Sequence, residues 1–571
     1  MKNRLVAKIL YEVADLLELE GVEFKPRAYR RAAQAVESCP IPIEDLVEQG
    51  RLHELPGVGE SIAQKIEEIV RTGKLALHEE LKAKLPVDLY ALTQVEGVGP
   101  KTVKLLYEAL GVRTLEDLER AAREGKIREV KGLGPKIEEK ILRGLQEARG
   151  AEKRELLGYA LPLARHLCQK LLASGLFVRV EPAGSLRRGK ETVGDLDILA
   201  ISARPEEAAR AFCTLPEVEE VLAQGPKKSS VRLHGGLQAD LRIVPEESFG
   251  AALQYFTGSK AHNIRLRERA VARGWKLNEY GLFDAEDRRI AGRTEEEIYQ
   301  ALGLAWIPPE LREDQGEIQA AEVGALPKLV TLSEILADLH VHTDWSDGKM
   351  TLQEAVEAAR ARGLRYIAIT DHLRFAQAIP GLSADDLRRQ IEEIRRLNEK
   401  LSDFRLLCGV EANIARDGTV DVPRDLLPEL DLVIASVHTH FRLSKKEMTE
   451  RLVRAVEDEG VDVLGHPTGR LIGERPAYEV DWDEVFRRAA KAGTALEVNA
   501  NPQRLDLPSD LIRRALDYGV RFLLGTDAHA PEHLDFLEYG VLTLRRGWAE
   551  AADVLNTLPV EAFLAALKRG R

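Results

Sequence analysis

Gly184-Ser185-Leu186-Arg187-Arg188-Gly189, followed closely by Gly194-Asp195-Leu196-Asp197-Ile198-Leu199-Ala200-Ile201, is the stretch on which the fold turns. The apolar run Ile198 to Ile201 predicts a strand. Alternate strand residues share a face, so the Asp195 and Asp197 carboxylates project the same way. A second strand-like run, Leu237 to Val244, carries Asp240, which could add a third carboxylate from a neighbouring strand. Mg²⁺ takes oxygen ligands, usually one or two carboxylates plus substrate phosphates. Two such ions, roughly 3.5–4 Å apart, can assist both the attacking and the leaving oxygen of a phosphoryl transfer. The loop before them offers the Ser185 hydroxyl, backbone N–H groups and two guanidinium groups to a triphosphate. The expectation is metal-dependent nucleotidyl transfer, with Mg²⁺ or Mn²⁺, on an α+β domain spanning 151–245.

Upstream, one pattern recurs three times. The copies are Leu55-Pro56-Gly57-Val58-Gly59, Val95-Glu96-Gly97-Val98-Gly99-Pro100-Lys101 and Val130-Lys131-Gly132-Leu133-Gly134-Pro135-Lys136, each before a helix-like run. Glycine lets a backbone approach a phosphate closely, and free N–H groups at the next helix start attract its charge. Three copies ahead of the acidic strands predict phosphate binding.

Downstream the vocabulary changes. Asp338-Leu339-His340-Val341-His342 opens a series of strand-like runs that end in polar groups: Thr370-Asp371-His372, Glu411-Ala412-Asn413, Ser436-Val437-His438, Gly465-His466 and Thr526-Asp527-Ala528-His529. Helical periods such as Leu352 to Ala361 lie between them. Strand–helix units with polar residues at strand C-termini predict a β/α barrel. His, Asp and Glu without Cys suit Zn²⁺, Mn²⁺ or Fe²⁺ in a hydrolytic site.

The loop and Asp pair together resemble the nucleotidyltransferase superfamily, and within it the DNA polymerase beta family, family X. Tyr255-Phe256-Thr257-Gly258-Ser259 is similar to that family's sugar-sensing turn, Asn263 to the residue that follows it, and Leu277 to Leu282 to its thumb strand. The resemblance, with the chemistry, implies that Asp195 and Asp197 hold both metals and that Asp240 lowers the pKa of the primer 3′-hydroxyl. Gly184, Ser185 and Arg188 would hold the β- and γ-phosphates. Tyr255, Phe256, Gly258 and Ser259 of this turn would bind the nucleotide, with Tyr255 and Phe256 packed on the sugar, and Asn263 would meet the base edge. Lys260 could hold nucleotide before template arrives, and Arg242 would orient a carboxylate or form a plain salt bridge.

The repeated glycine loops resemble helix–hairpin–helix modules, which implies DNA contacts at Gly57, Gly59, Lys65, Gly97, Gly99 and Lys101. The first module resembles the family's small amino-terminal domain, where Lys65 occupies the position of a Schiff-base lysine. Ser61 and Leu77 stand where the family carries supporting lysines. A lysine nucleophile needs desolvation or cationic neighbours to be partly neutral, so Lys65 is expected to contact a 5′ phosphate.

The C-terminal part resembles the PHP domain, a distorted barrel shared by bacterial replicative polymerases and histidinol phosphatases. Nine positions match its ligand set: His340, His342, Asp347, His372, Glu411, His438, His466, Asp527 and His529. The resemblance implies up to three ions there.

Composition sets the remaining limits. At 571 residues the chain is too long for one core. The expected organisation is multidomain: 1–85 and 86–150 helix–hairpin–helix domains, 151–245 palm, 246–315 thumb, 316–335 linker, and 336–571 PHP domain. The net charge of −12 divides into −1 for residues 1–150, −3 for 151–335 and −8 for 336–571. Lys260, Arg265, Arg267, Arg269, Arg273 and Lys276 are interrupted by one acid, Glu268, and Arg265 and Arg267 in that cluster suit phosphate contact. Cys39, Cys168, Cys213 and Cys408 are too scattered for a disulfide framework or zinc ribbon, which predicts a reducing cytoplasm. No apolar run suggests a membrane span. The expected protein is a monomer that binds gapped or primer-template DNA and dNTPs, fills short gaps in repair, and trims 3′ ends. The alternative is mainly a 3′-end nuclease that uses the polymerase part to position DNA.

Overall fold

A computed structural model of the chain describes residues 3–22, 25–37, 43–55, 57–93, 95, 98–150, 154–374 and 381–570. Gly97 and Cys39 lie outside the described residues. Two compact units result: residues 1–155, 159–182 and 192–244 form one, and residues 156–158, 183–191 and 245–571 the other.

The first unit begins as a helical array. Its helices owe their places to amphipathic periods; in Glu60–Thr72, Ile66, Ile69 and Val70 are buried, and Gly73 closes the helix in the left-handed conformation. The apolar core is continuous from Val6 to Leu145, so the stretches expected as 1–85 and 86–150 share one core. Within it Glu12 and His78 form a buried pair.

A mixed five-stranded sheet follows, with strands β1 (Arg179–Pro182), β2 (Asp195–Ile201), β3 (Val218–Ala223), β4 (Lys228–Leu233) and β5 (Gln238–Ile243) in the order β1-β2-β5-β4-β3. Only β2 and β5 pair in parallel, and their register sets Asp197 beside Asp240. The C-terminal half of β2 is buried and its start emerges to solvent, so the acidic residues lie at the end of the sheet where β2 and β5 begin.

The second unit contains helices Phe249–Thr257 and Lys260–Val271 and a small antiparallel sheet of Lys276–Asn278, Gly281–Phe283 and Arg289–Ala291. Seven parallel strands come next: β6 (Ala337–Val341), β7 (Tyr366–Ile369), β8 (Arg405–Asn413), β9 (Leu432–Ser436), β10 (Val463–Gly465), β11 (Ala495–Asn499) and β12 (Phe522–Gly525). They pair in chain order, and a parallel bridge from Val341 to Ala528 brings the last strand back toward the first. The result is a nearly closed barrel of seven strands, plugged at its N-terminal end by Leu555, Phe563 and Leu567. The residues expected as a linker are packed: Glu317–Glu322 is a helix, and Glu317 is fully buried against His262 at 2.6 Å. Among the described residues, no helix is long and apolar enough to cross a membrane.

Candidate active sites

The Asp triad arises directly from strand register. Asp195 and Asp197 share a face of β2, and Asp240 lies beside Asp197 on β5. Asp195 is exposed, Asp197 half-buried and Asp240 buried. Burial, then repulsion from Asp195 and Asp240, pushes the Asp197 carboxyl up to about 6. Burial pushes Asp240 the same way, but it is overcome by Lys228, Gln238 and Ser230, and the net shift is downward. Lys228 Nζ lies 2.7 Å from one Asp240 oxygen and Gln238 Nε2 donates to the other at 2.9 Å. Crowded carboxylates whose mutual repulsion favours protonation are groups that a divalent cation would relieve. Lys228, Gln238 and Ser230 were missed in the sequence. Gln238, two residues before Asp240 on the same strand, was legible by alternation, whereas Ser230 and Lys228 reach Asp240 only through the β4–β5 register, which is not written in local sequence.

The expected phosphate loop belongs to the second unit. Gly184–Arg187 makes one helical turn, with Gly184 at φ +64 and Gly189 at φ +65. Ser185 is half-buried. Arg187 grips Glu295 through two hydrogen bonds of 2.8 Å. Arg188 donates to the Thr257 carbonyl at 2.5 Å and to Glu313 at 3.0 Å. Tyr255 and Phe256 meet edge to face with centroids 5.1 Å apart. Asn263 donates to the Tyr255 carbonyl at 2.7 Å while accepting from Gln254 at 2.7 Å, so its side chain is fixed beside the turn. Ser259 caps the next helix by accepting from the His262 amide. Lys260 and Arg267 are exposed on that helix. Arg265 is paired with Asp314 as well as Glu268, an acid that the sequence reading did not bring to the cluster.

The glycine loops repeat in geometry as in sequence. In each, an amide three residues along closes on the first carbonyl: Val58 on Leu55, Val98 on Val95 and Leu133 on Val130. Gly59 and Gly99 stand at the N-caps of the following helices with no side-chain cap. A Cβ on Gly59, Gly99 or Gly134 would meet nothing within 4 Å, whereas one on Gly57 would strike Arg31 at 2.8 Å. The helix starts are thus open to an incoming anion. Lys65 is half-exposed and donates to the Ser61 carbonyl and hydroxyl, both at 2.9 Å. Lys101 is exposed beside Gly99.

All nine barrel residues gather at the C-terminal ends of the strands. Three overlapping sets bring one ligand atom each within 4.8 Å of the others: His342, Asp347, His372 and His529; His340, His342 and Asp527; and His372, Glu411 and His438. Glu411 is the hub. Its carboxylate lies 3.5 Å from His340, 3.6 Å from His342 and 3.1 Å from both His372 and His438, and accepts from His466 at 2.9 Å. His340 Nε2, both ring nitrogens of His342 and His372 Nδ1 are buried with no hydrogen-bond partner. Buried polar atoms are rarely left so. Imidazole nitrogens and carboxylates converging this way fit divalent metal ions. Burial would raise the Glu411 carboxyl, but His372, His438 and His340 hold it well below its usual range. Burial draws His372 down to about 4, the neutral form that ligation needs. His529 goes the other way: burial lowers it, but Asp347 and Asp527 carry it up to about 9. An ion would take over the positive charge that those carboxylates favour.

The sequence reading missed the residues that orient this set. Glu497, fully buried on β11, accepts from His340 Nδ1 at 2.6 Å and also receives the His466 amide. It turns the other His340 nitrogen inward, the usual role of a carboxylate behind a ligating histidine. Asp371 binds the Thr343 amide at 2.7 Å, the Thr343 hydroxyl at 2.6 Å and Gln390 at 2.6 Å, and so shapes the loop that carries Asp347. An acid inside the apolar run Leu496-Glu497-Val498 was the available signal.

Similarity to known proteins agrees with this geometry. A helix-hairpin-helix domain profile matches residues 1–75, and a SAM-like helix-hairpin-helix tandem matches 89–147. The DNA polymerase beta thumb profile matches 252–313, and the PHP domain profile 338–501. The DNA polymerase/3′-5′ exonuclease PolX of Bacillus subtilis (strain 168) is 39% identical over 573 residues, covering 100% of both chains. A DNA polymerase lambda of Arabidopsis thaliana is 28% identical over 54% of this chain and 62% of its own. A probable phosphatase of Thermoanaerobacter sp. (strain X514) is 28% identical over 39% of this chain and 91% of its own. One relative is thus similar over the whole length while others match separate parts, and the chain belongs to the family of Bacillus subtilis PolX, the family X DNA polymerases that carry a PHP domain.

Proposed function

We infer that the protein is a DNA polymerase with 3′–5′ exonuclease activity that fills short gaps during DNA repair and processes 3′ ends. The supporting observation is the presence, in one chain with a full-length PolX relative, of both a strand-registered Asp triad and a barrel with the nine-residue His, Asp and Glu set. Asp195, Asp197 and Asp240 would hold Mg²⁺ or Mn²⁺ for nucleotidyl transfer, with Asp240 on the side of the primer 3′-hydroxyl. Gly184, Ser185 and Arg188 would hold the triphosphate, Tyr255 and Phe256 the sugar, and Asn263 the base edge. Lys260, Arg265 and Arg267 would line the DNA and nucleotide path.

In the barrel, His340, His342, Asp347, His372, Glu411, His438, His466, Asp527 and His529 would hold up to three ions, Mn²⁺, Zn²⁺ or Fe²⁺. Such ions, when bound, supply Lewis-acid stabilisation to a phosphodiester under attack by water. Glu497 and Asp371 would fix the orientation of the ligands. The glycine loops at Gly57, Gly59, Gly97 and Gly99, with Lys65 and Lys101, would hold the DNA backbone, Lys65 as a charge contact to a downstream 5′ phosphate. Domains would then divide as 1–85 and 86–150 for DNA, 151–245 as palm, 246–315 as thumb, and 336–571 as nuclease, in a monomer.

A single gel tests the reading. A gapped duplex incubated with dNTPs should be extended under Mg²⁺, and the primer should shorten under Mn²⁺ when dNTPs are withheld. Shortening with no extension under either ion would make the protein a nuclease that uses its polymerase part only to position DNA.

A further inference from the structure

The helix Leu537–Arg546 follows the barrel residues Asp527 and His529 after one short 3-10 segment, Pro531–Phe536, and packs on β11 and β12. Its last residue reaches away from the barrel site. Arg546 donates from Nη1 to the main-chain carbonyl of Arg188 at 2.7 Å and to Glu313 Oε1 at 3.1 Å. The same Glu313 oxygen lies 3.0 Å from Arg188 Nε and 3.3 Å from Lys190 Nζ. Three cations therefore share one carboxylate oxygen, and the group as a whole keeps an excess of positive charge. Its centre is enclosed, with the side chains of Arg188, Glu313 and Arg546 12, 13 and 9% exposed, while Lys190 at its rim is 37% exposed. From it Arg188 extends to the Thr257 carbonyl in the Tyr255–Ser259 turn.

A second observation points the same way. Gly189 has φ +65, and a Cβ there would meet Leu542 at 3.4 Å, so the loop end and the helix are in close contact. The helix is held at that end as well. Arg545 binds Glu310 at 2.7 Å and the Val330 carbonyl at 3.0 Å, and Trp548 joins the apolar core of residues 251–329.

We propose that Arg546, supplied by the carboxy-terminal region, is a positioning residue for nucleotide addition. It fixes the Gly184–Gly189 loop through the Arg188 carbonyl and competes for Glu313, leaving Arg188 charge available to a triphosphate. The inference rests on the assignment of Arg188 to the phosphates. Its consequence is that the nucleotide affinity of the polymerase depends on a side chain that leaves the nuclease site untouched.

The test uses the full-length protein and single-nucleotide gap filling with Mg²⁺, measuring KM for the dNTP and kcat separately. Arg546→Ala should raise KM about tenfold or more with kcat within about threefold, the size expected when a charge-assisted contact is lost. Arg546→Lys should recover part of the loss, because an ammonium can replace one contact and not the forked geometry. In a Glu313→Gln background the Arg546→Ala effect should shrink, since the two side chains act through one network. Exonuclease activity with Mn²⁺ should stay within about twofold in Arg546→Ala, which also reports that the chain is folded. If Arg546→Ala does not fold, Arg546→Lys carries the test with an expected KM rise of about threefold or more. An unchanged KM in the folded variant, beside an Arg188→Ala variant whose KM rises, overturns this proposal alone. An Arg188→Ala variant with unchanged KM shows instead that the phosphate assignment has failed.

Discussion

The palm and barrel sites place acids in opposite settings. At the Asp triad, Asp195 is open to solvent and the acids lie near the starts of two interior strands, with Lys228 lying against Asp240. In the barrel, Glu411 is fully buried amid five imidazoles, and several ring nitrogens have no hydrogen-bond partner. With three carboxylates, the proposed polymerase site would have too few ligands to complete a Mg²⁺ shell and would borrow oxygens from substrate phosphates. The barrel set would have enough donors to retain ions by itself. On this proposed reading, the first site is assembled by its substrate and the second is preformed. That difference predicts which losses abolish an activity and which only weaken it.

The largest effect should come from the palm. Asp240→Ala should lower nucleotide addition by about a thousandfold or more, as expected when a carboxylate that aligns two-metal transfer is lost. Exonuclease activity should stay within about twofold. Primer-extension and degradation assays on the same preparation check both, and undiminished extension would remove Asp240 from the site. Behind the barrel ligands, Glu497→Gln should weaken metal affinity by about 10–100-fold, the usual cost of disturbing a ligand's outer partner. Calorimetric Mn²⁺ titration reads this directly, and an unchanged affinity would reduce Glu497 to a packing residue.

A second contrast concerns an acid held by arginines. Glu295 is almost fully buried between Arg187 and Arg312, the latter 0% exposed and 2.6 Å away. Burial raises its carboxyl, but the two arginines outweigh it and bring it from the usual 4.5 to about 2. Because the folded pKa is depressed, this contribution to stability is complete above pH 4.5 and is lost as pH falls toward 2. Glu295→Gln leaves buried arginine charge unpaired and should cost about 3–5 kcal/mol. Urea unfolding at pH 7 and at pH 3 measures both, with a smaller difference between variant and parent at the lower pH.

The smallest effect is expected at Lys65. Lys65→Ala should weaken preference for gaps with a 5′ phosphate by about two- to fivefold, since an exposed charge contact is worth little, and binding should weaken steeply with added salt. Borohydride trapping on an abasic 5′ end distinguishes the roles: a strong adduct that vanishes in Lys65→Ala would assign the lysine a Schiff-base chemistry.

Much of this was legible because strand ends announce themselves. Asp-x-Asp and His-x-His encode a shared face within three residues, and apolar runs closed by His, Asp or Glu mark the barrel. The supporting residues were not legible, because their meaning lies in partners distant along the chain. Glu497 orients His340, which lies 157 residues away in sequence, and Lys228 reaches Asp240 only through register. Glu317 is similar: between Gly316 and Gly324 it reads as part of a tether, yet its burial depends on His262, 55 residues earlier.

Metal content in the absence of DNA and nucleotide tests the contrast between the two sites most directly. The full-length protein, saturated with Mn²⁺ and then desalted, should retain up to three ions by elemental analysis, as the barrel ligand set implies. Asp240→Ala should retain the same number, and His342→Ala, which lies in two of the three ligand sets, should lose at least one. Equal loss in Asp240→Ala, or full retention in His342→Ala, would contradict the account of a substrate-assembled palm and a preformed barrel site.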